Sequence, residues 1–262
     1  MSESYPLPPL LLDAALLAFG LVIGSFLNVV IHRLPRGESI VRPHSRCPAC
    51  STPIPAHRNI PVLSWLLLRG RCASCRAPIS ARYPIVEAAT AFLFVAVGRL
   101  DGWTPALPFH LAFVAAMVVV TLIDLDFQII PNEITIPGVV IGLALAAMSR
   151  TLGAALVGAA LGAGILWGIG ALYLALRHVE GMGGGDVKFA AMLGAFLGWK
   201  GVLLTIFLSS FGGAVVGVAM MQLRGTGRQT RIPYGTFLAP AAVLVLFAGE
   251  PIVRWYGGLI AR

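Results

Sequence analysis

Long apolar stretches alternate with short polar segments along almost the whole chain. About 20 apolar residues are enough to cross a bilayer as a helix, and eight stretches reach or approach that length. They run approximately over residues 10–31, 83–98, 105–123, 134–149, 152–176, 187–199, 201–222 and 236–255. The pattern predicts an all-α, polytopic membrane protein with about eight transmembrane helices. Because the sixth stretch is short, seven helices with one re-entrant segment is an alternative.

Composition excludes a soluble globular domain. Hydrophobic residues make up 58% of the 262 residues and charged residues 11%, with a mean hydropathy of +0.87. A soluble domain carries about 25% charged residues. The first apolar stretch has no basic residue before it and is too long for the apolar core of a signal peptide. It is expected to be a retained helix with its N-terminus outside.

The distribution of basic residues predicts the orientation. The net charge is +8, and nine arginines lie in residues 32–82, where Glu38 is the only acidic residue. Such a segment stays in the cytoplasm under the positive-inside rule. Starting from an outside N-terminus, the cytoplasmic segments are 32–82, 124–133, 177–186 and 224–235. Together with Lys188 they hold 14 of the 19 basic residues.

All four cysteines lie in the predicted cytoplasmic segment. They form two CxxC pairs, Cys47 with Cys50 and Cys72 with Cys75, separated by 21 residues. Disulfides are rare in the cytoplasm, whereas two such pairs can complete a tetrahedral zinc site. Four thiolates leave no open position for water, so the predicted zinc is structural. Reduced structural thiols or a redox pair are the alternatives.

Nucleic-acid binding by this loop is not expected. The loop is tied to the bilayer at both ends and has no clear aromatic platform on which bases could stack.

Two acidic clusters lie at the ends of apolar stretches. The first contains Asp124 and Asp126, and the second is Gly183-Gly184-Gly185-Asp186 with Lys188 two residues later. Acidic residues near membrane helices are costly and are candidates for function. The predicted threading places both clusters at the same membrane face, so Asp124 and Asp186 can meet although they are 62 positions apart.

Two adjacent carboxyl groups can share a proton and hydrolyse a peptide bond. One takes a proton from the attacking water while the other protonates the developing oxyanion. The glycines before Asp186 leave a backbone that a substrate strand or the partner carboxylate can approach closely. On spacing alone, Asp126 could replace Asp124 as the partner.

An ordered set of motifs resembles the bacterial type IV prepilin peptidases, which belong to the GxGD aspartyl proteases. The resemblance runs from about Gly24 to at least Gly198. It is carried by the CxxC pairs, by the GxGD of Gly183 to Asp186, and by the segments Gly24-Ser25-Phe26-Leu27-Asn28-Val29-Val30-Ile31-His32-Arg33-Leu34-Pro35, Arg82-Tyr83-Pro84-Ile85-Val86-Glu87 and Ile123-Asp124-Leu125-Asp126.

The resemblance implies a multi-pass protease of the bacterial inner membrane, with its active site facing the cytoplasm. It implies cleavage of the basic leader from type IV prepilins and pseudopilins, and N-methylation of the new N-terminus with S-adenosylmethionine. The implied catalytic pair is Asp124 and Asp186. Asp126, Gly183, Gly185 and Lys188 become supporting residues.

The predicted helices and the cysteine-bearing segment divide the chain into three parts. Residues 1–31 form the first transmembrane helix, 32–82 a small cytoplasmic zinc-binding loop domain, and 83–262 the transmembrane protease core. The family often has Pro-Asp where this chain has Pro131-Asn132. No glycine-rich nucleotide motif of the Rossmann type is found, so the sequence does not place the methyl-donor site.

Three other functions compete with this interpretation. A related GxGD protease would cut another membrane substrate, such as a flagellin-type signal, without methylation; the cysteine loop disfavours it. A transporter or channel would use buried acids as a proton relay, but such sites tend to lie near the bilayer midplane. An inactive assembly scaffold would keep the cysteine loop and tolerate loss of either aspartate.

Overall fold

The protein is helical throughout the part of the chain that the structure describes. The computed structural model describes residues 8–42, 45–55, 58–179, 181–224 and 233–260, in which helices and two isolated bridges occur but no strand. The helices are α1 (Pro9–Arg33), α2 (Leu63–Leu67), α3 (Arg82–Asp101), α4 (Leu107–Phe127), α5 (Asn132–Met148), α6 (Leu152–Arg177), α7 (Gly184–Arg224) and α8 (Gly235–Ile260). The all-α prediction is confirmed for these residues.

The predicted apolar stretches coincide with the observed helices. Among the described residues six helices are long and apolar enough to cross a membrane, and α5 is a shorter apolar helix. The sixth and seventh predicted stretches both fall on α7. The chain is therefore a multi-pass membrane protein. Most of the predicted cytoplasmic segment near 224–235 lies outside the described residues.

Gly198 interrupts the long helix α7. Its backbone has φ 67° and ψ −179°, which is not helical. A positive φ of this size favours glycine, which has no Cβ to clash with the backbone. Gly198 consequently separates α7 into two helical halves, one residue before the end of the sixth predicted stretch.

The chain forms two compact units, which divide between Val119 and Val120. In unit 1, α1 packs along α3. The contact is so close that a Cβ at Gly24 would lie 2.6 Å from the Cα of Glu87. Small residues permit this approach, which is how helices associate in lipid, where apolar burial supplies little driving force.

In unit 2, α7 packs against α5, α6 and α8. Close contact between α6 and α7 depends on a pair of glycines, since a Cβ at Gly194 would lie 2.1 Å from the carbonyl oxygen of Gly158. The Gly-Ala run near 153–168 thus contributes to helix packing. This packing orders the first half of α7, whose first turn carries Asp186.

Candidate functional site

The four cysteines form one cluster in unit 1. Their sulfur atoms all lie within 4.8 Å of one another, and Sγ of Cys47 is 3.8 Å from Sγ of Cys75. Zinc–sulfur bonds of about 2.3 Å place the sulfurs of a tetrahedral site about 3.8 Å apart. Cys47 and Cys72 are buried, and Cys75 is exposed. The cluster can therefore hold a metal ion, and its all-sulfur donor set fits zinc.

Two equivalent turns supply these sulfurs. In the first, the Ser51 N–H donates to the Cys47 carbonyl (2.8 Å) and the Cys47 N–H donates to the Thr52 carbonyl (3.0 Å). In the second, the N–H of Arg76 donates to the carbonyl of Cys72 (3.1 Å) and the N–H of Cys72 donates to Ala77 (2.9 Å).

The residue that follows the second cysteine of each turn, Ser51 or Arg76, has a positive φ. An antiparallel bridge closes each turn, from Arg46 to Pro53 and from Arg71 to Pro78.

A short internal repeat underlies these turns. Residues 46–54 and 71–79 share the pattern Arg-Cys-x-x-Cys-x-x-Pro-Ile. This nine-residue unit is far shorter than the repeats of solenoid proteins. The repeat accounts for the equal hydrogen bonding of the two turns, which present their thiols in the same way.

Local hydrogen bonds prepare some of these thiols for metal binding. The side chain and backbone of Thr52 lower the pKa of the Cys50 thiol to about 6, and its Sγ lies 3.2 Å from the Thr52 hydroxyl. Backbone hydrogen bonds from Cys75 and Ser74 lower the pKa of Cys72. The Ala77 backbone also lowers the pKa of Cys75, but Cys50, burial and the other two sulfurs together raise it to about 11. A bound cation removes this repulsion between thiolates.

In unit 2, Asp124 is a buried carboxylate near the end of α4. Its exposed fraction is 4%. Oδ2 accepts hydrogen bonds from the Thr236 N–H (2.8 Å) and from the Thr236 hydroxyl (3.2 Å). Both donors belong to the first turn of α8, where N–H groups have no partner within the helix. The beginning of α8 thus holds Asp124 in place.

Asp186 lies in the first turn of α7, where a negative charge is favoured by the helix dipole. Its N–H donates to the Gly183 carbonyl at 3.1 Å, and a Cβ on Gly183 would lie 3.5 Å from Oδ2 of Asp186. The Asp186 side chain is only partly exposed. The glycine-rich turn therefore wraps closely around this carboxylate.

The two aspartates are neighbours within unit 2. A Cβ on Gly235 would lie 2.9 Å from Oδ2 of Asp124, and one on Gly183 would lie 3.5 Å from Oδ2 of Asp186. Ile130 packs against the glycine that precedes Asp186 and against the glycine at the start of α8. A Cβ on Gly185 would lie 3.2 Å from Cβ of Ile130, and a Cβ on Gly235 would lie 2.8 Å from Cδ1 of Ile130. The tertiary structure therefore brings together the two carboxyl groups that the sequence pattern paired. Such a pair has the components of a general acid and a general base.

The remaining predicted site residues lie around this pair. Asp126 is exposed and points away from the buried position that Asp124 occupies two residues earlier. Lys188 is also exposed, and its Nζ donates to Oδ1 of Asn132 at 2.8 Å. This bond joins the beginnings of α5 and α7. Gly185 packs against Ile130, which leaves little room for a side chain.

Sequence reasoning missed the contribution of α8. Thr236 binds Asp124 directly, and the hydroxyl group of Tyr234 lies 2.8 Å from that of Ser209 and 3.2 Å from that of Ser210. A signal was present in the sequence, because Gly235 and Thr236 precede an apolar run and threonine is favoured at helix N-termini. That signal identifies the start of a helix, but it does not show that Asp124 is the residue to which Thr236 donates.

Comparison with known proteins supports one family. The model of the bacterial peptidase A24 N-terminal domain matches residues 18–99, and that of the type IV leader peptidase family matches residues 111–218. The second match contains both aspartates, and the first contains all four cysteines. No solved structure matches this chain.

Curated relatives align over nearly the whole chain. One from Aeromonas hydrophila is 41% identical, covering 95% of this chain and 94% of the relative. One from Pseudomonas aeruginosa is 38% identical with the same coverage, and one from Burkholderia pseudomallei is 36% identical, covering 92% and 87%. All three are named prepilin leader peptidase/N-methyltransferase. Identity at this level over this length means that the chain belongs to the type IV leader peptidase family.

Proposed function

We propose that this chain is an intramembrane aspartyl endopeptidase that removes the basic leader from type IV prepilins and pseudopilins and then methylates the new N-terminal amine. The observation that supports the peptidase most directly is the interacting pair of Asp124 and Asp186 in a chain of this family. The names of the aligned relatives support both activities.

The hydrogen bonds around the pair suggest which aspartate has which role. Asp124 accepts two hydrogen bonds on one oxygen, which stabilises its ionised form. Two adjacent carboxylates do not both ionise without cost, so the shared proton resides on Asp186. Asp124 is then the base that takes a proton from water.

Asp186 is the acid in the same step. It protonates the oxygen of the peptide carbonyl as water adds to the carbon. When the tetrahedral intermediate collapses, the C–N bond breaks and the leaving nitrogen takes up a proton. The proton that Asp124 removed from water supplies it. Asp186 takes back a proton from a hydroxyl group of the intermediate as the C=O bond of the new carboxyl group forms, so the pair returns to its initial state. Gly183 and Gly185 support this step because, without side chains, the turn can lie close to Asp186 and Ile130.

The Thr236 hydroxyl is expected to support catalysis through Asp124. Thr236→Val keeps the backbone N–H and the β-branched shape but removes the hydroxyl, a loss of about 1.5 kcal/mol, the low end for a hydrogen bond to a charged group. We expect kcat for leader cleavage to fall about 10-fold with little change in KM. Thr236→Ser, which keeps the hydroxyl, should stay close to the wild-type rate. Equal kcat for the valine and serine variants would contradict this role.

Two further groups belong to the proposal. Cys47, Cys50, Cys72 and Cys75 bind a structural zinc ion, which stabilises residues 32–82 as a small domain between the first helix (1–31) and the protease core (83–262). S-adenosylmethionine supplies the methyl group for the second reaction. Lys188 orders the start of α7 through Asn132.

The proposed location is the bacterial inner membrane, with the aspartate pair facing the cytoplasm. The nine arginines of residues 32–82 support this orientation under the positive-inside rule. The polar segments before Asp186 and after Asp124 then lie on the same side. Substrates reach this side before export, while the basic leader is still attached.

One experiment tests activity and orientation together. Inverted membrane vesicles, which present the cytoplasmic face, are incubated with a synthetic prepilin and S-adenosylmethionine, and the products are analysed by mass spectrometry. We expect release of the leader and a mature N-terminus that has gained one methyl group. Sealed right-side-out vesicles should leave the added prepilin uncut. An uncut prepilin in inverted vesicles would contradict the proposed peptidase.

A further inference from the structure

Unit 1 contains a cavity that the peptidase reaction does not use. It has a volume of about 420 Å³ and lies where the second half of α1, the cysteine loop and the beginning of α3 meet. Its wall includes Asn28 from α1, Trp65 from α2, and Tyr83 and Glu87 from α3. Small-molecule sites in proteins range from about 300 to 1,000 Å³ and combine an apolar wall with a few placed polar groups.

A buried carboxylate lines this cavity. Glu87 is 7% exposed, and with Asp124 it is one of two buried carboxylates among the described residues. Its Oε2 accepts a hydrogen bond from the Val62 N–H at 2.7 Å, and Ser25 also interacts with it. Within the described part of the chain no basic side chain forms an ion pair with it. A buried charge without a cation is costly, so a cationic ligand would find a complementary anion here.

Two aromatic residues also line this cavity. Trp65 and Tyr83 line the same cavity as Glu87. The indole N–H of Trp65 donates to the Ile79 carbonyl at 3.0 Å, which fixes the ring. Ring faces attract organic cations, most strongly where water is excluded. Aromatic and anionic groups together favour a compact organic cation over a metal ion.

Exposed charged side chains also line the cavity. Arg46 and Arg58 are exposed and line it from the cysteine loop. Glu38 is also exposed and lines the cavity, so its exposed wall carries both signs of charge.

We propose that this cavity binds an organic cation of the methyl-transfer reaction and that Glu87 is the buried anion that recognises it. Two cations share this chemistry: the sulfonium group of the methyl donor and the α-ammonium group of the processed substrate. The inference deepens the proposed function and rests on its methyltransferase part. It assigns a place in the chain to a site that the sequence motifs do not locate.

Binding measurements on the purified full-length protein test this inference. Calorimetry compares S-adenosylmethionine with S-adenosylhomocysteine, which lacks the sulfonium charge, and a mature N-terminal peptide with its N-acetylated form. Glu87→Gln removes the charge but keeps an oxygen that accepts the Val62 N–H, so the loop stays attached. If Glu87 binds the cation, the Kd of the variant for one cationic probe should rise about 10- to 100-fold, as expected for the loss of a hydrogen bond to a charged group. Affinity for the neutral counterpart should hardly change.

The pattern of loss identifies the ligand. A selective loss for S-adenosylmethionine assigns the sulfonium, and a selective loss for the free peptide assigns the α-ammonium. Asp13→Asn is the matched control, because this carboxylate also lies in unit 1 but binds Arg99 at 2.9 Å, away from the cavity. Binding by Asp13→Asn should equal that of the wild type, and Glu87→Gln should still cleave the leader.

The negative outcomes separate the inference from the proposed function. The wild-type protein could methylate its product while Glu87→Gln binds both cationic probes as tightly as the wild type does. That result would overturn the assignment of Glu87 but leave the proposed methyltransferase standing. A wild-type protein that cleaves the leader but binds neither probe and transfers no methyl group overturns both the cavity assignment and the methyltransferase. Loss of cationic and neutral probes alike also overturns the assignment, because recognition of a charge predicts a selective loss.

Discussion

Asp124→Asn and Asp186→Asn are each expected to abolish leader cleavage by this protein. An amide neither takes a proton from water nor donates one to the carbonyl oxygen, and general acid–base catalysis contributes about 10²- to 10⁴-fold for each group. Asp→Glu should also fail at both positions, because a displacement of about 1 Å can cost on the order of 100-fold. The rate of leader release from a prepilin, by purified variants in lipid, is the measurement.

The chain offers a matched control for this experiment. Asp126 lies two residues from Asp124 on the same helix but is exposed, so Asp126→Asn should retain most of the activity. Asparagine at 124 still offers an oxygen to the Thr236 N–H, and the variant should therefore insert and fold normally. Near-normal turnover by Asp186→Asn, or an inactive Asp126→Asn beside an active Asp124→Asn, would exclude this pair.

Cys72→Ser is expected to remove the bound metal almost completely. The wild-type protein should contain one zinc ion per chain by elemental analysis, since four sulfurs within 4.8 Å form one site. Structural zinc contributes about 10–16 kcal/mol in small zinc domains, far more than a polar loop of this length gains from its own core. Loss of the metal should therefore unfold the loop while the membrane helices persist.

Limited proteolysis reports on the fold of the cysteine loop, and circular dichroism reports on the membrane helices. New cleavage sites should appear within residues 45–79 in Cys72→Ser, whereas helix content should change little. Ser74→Ala is the matched control, because it lies in the same turn but contributes no sulfur. It should keep full zinc content. Full zinc content in Cys72→Ser would refute the four-thiolate site.

Helix positions were predictable from the sequence because they depend on local properties. Each long apolar run buries its own backbone hydrogen bonds as a helix, which is the requirement for any segment in lipid. All eight predicted stretches therefore coincide with helical segments, and the break at Gly198 lies one residue before the end of the sixth stretch. The short helix α2 was not predicted, because its five residues lie in a polar segment without a membrane-length pattern.

The residues of the candidate sites could also be predicted from the sequence, since a spacing of a few residues constrains which side chains meet. The CxxC pairs indicated a four-sulfur cluster, and the structure places these sulfurs within 4.8 Å of one another. The repeat of residues 46–54 in 71–79 was also available from sequence. Only the hydrogen bonds of the structure show the consequence of this repeat, which is a pair of turns with the same bonding pattern.

The sequence by itself determined the helices, the cysteine cluster and the two aspartates, because each depends on residue type and short spacing. Only the tertiary structure decided what surrounds them. The contact of Thr236 with Asp124 joins residues 112 positions apart, and that of Val62 with Glu87 joins a loop to a helix 25 positions later. Such contacts arise from the packing of α8 and α3 against their neighbours, and no local pattern encodes which partner a buried carboxylate receives.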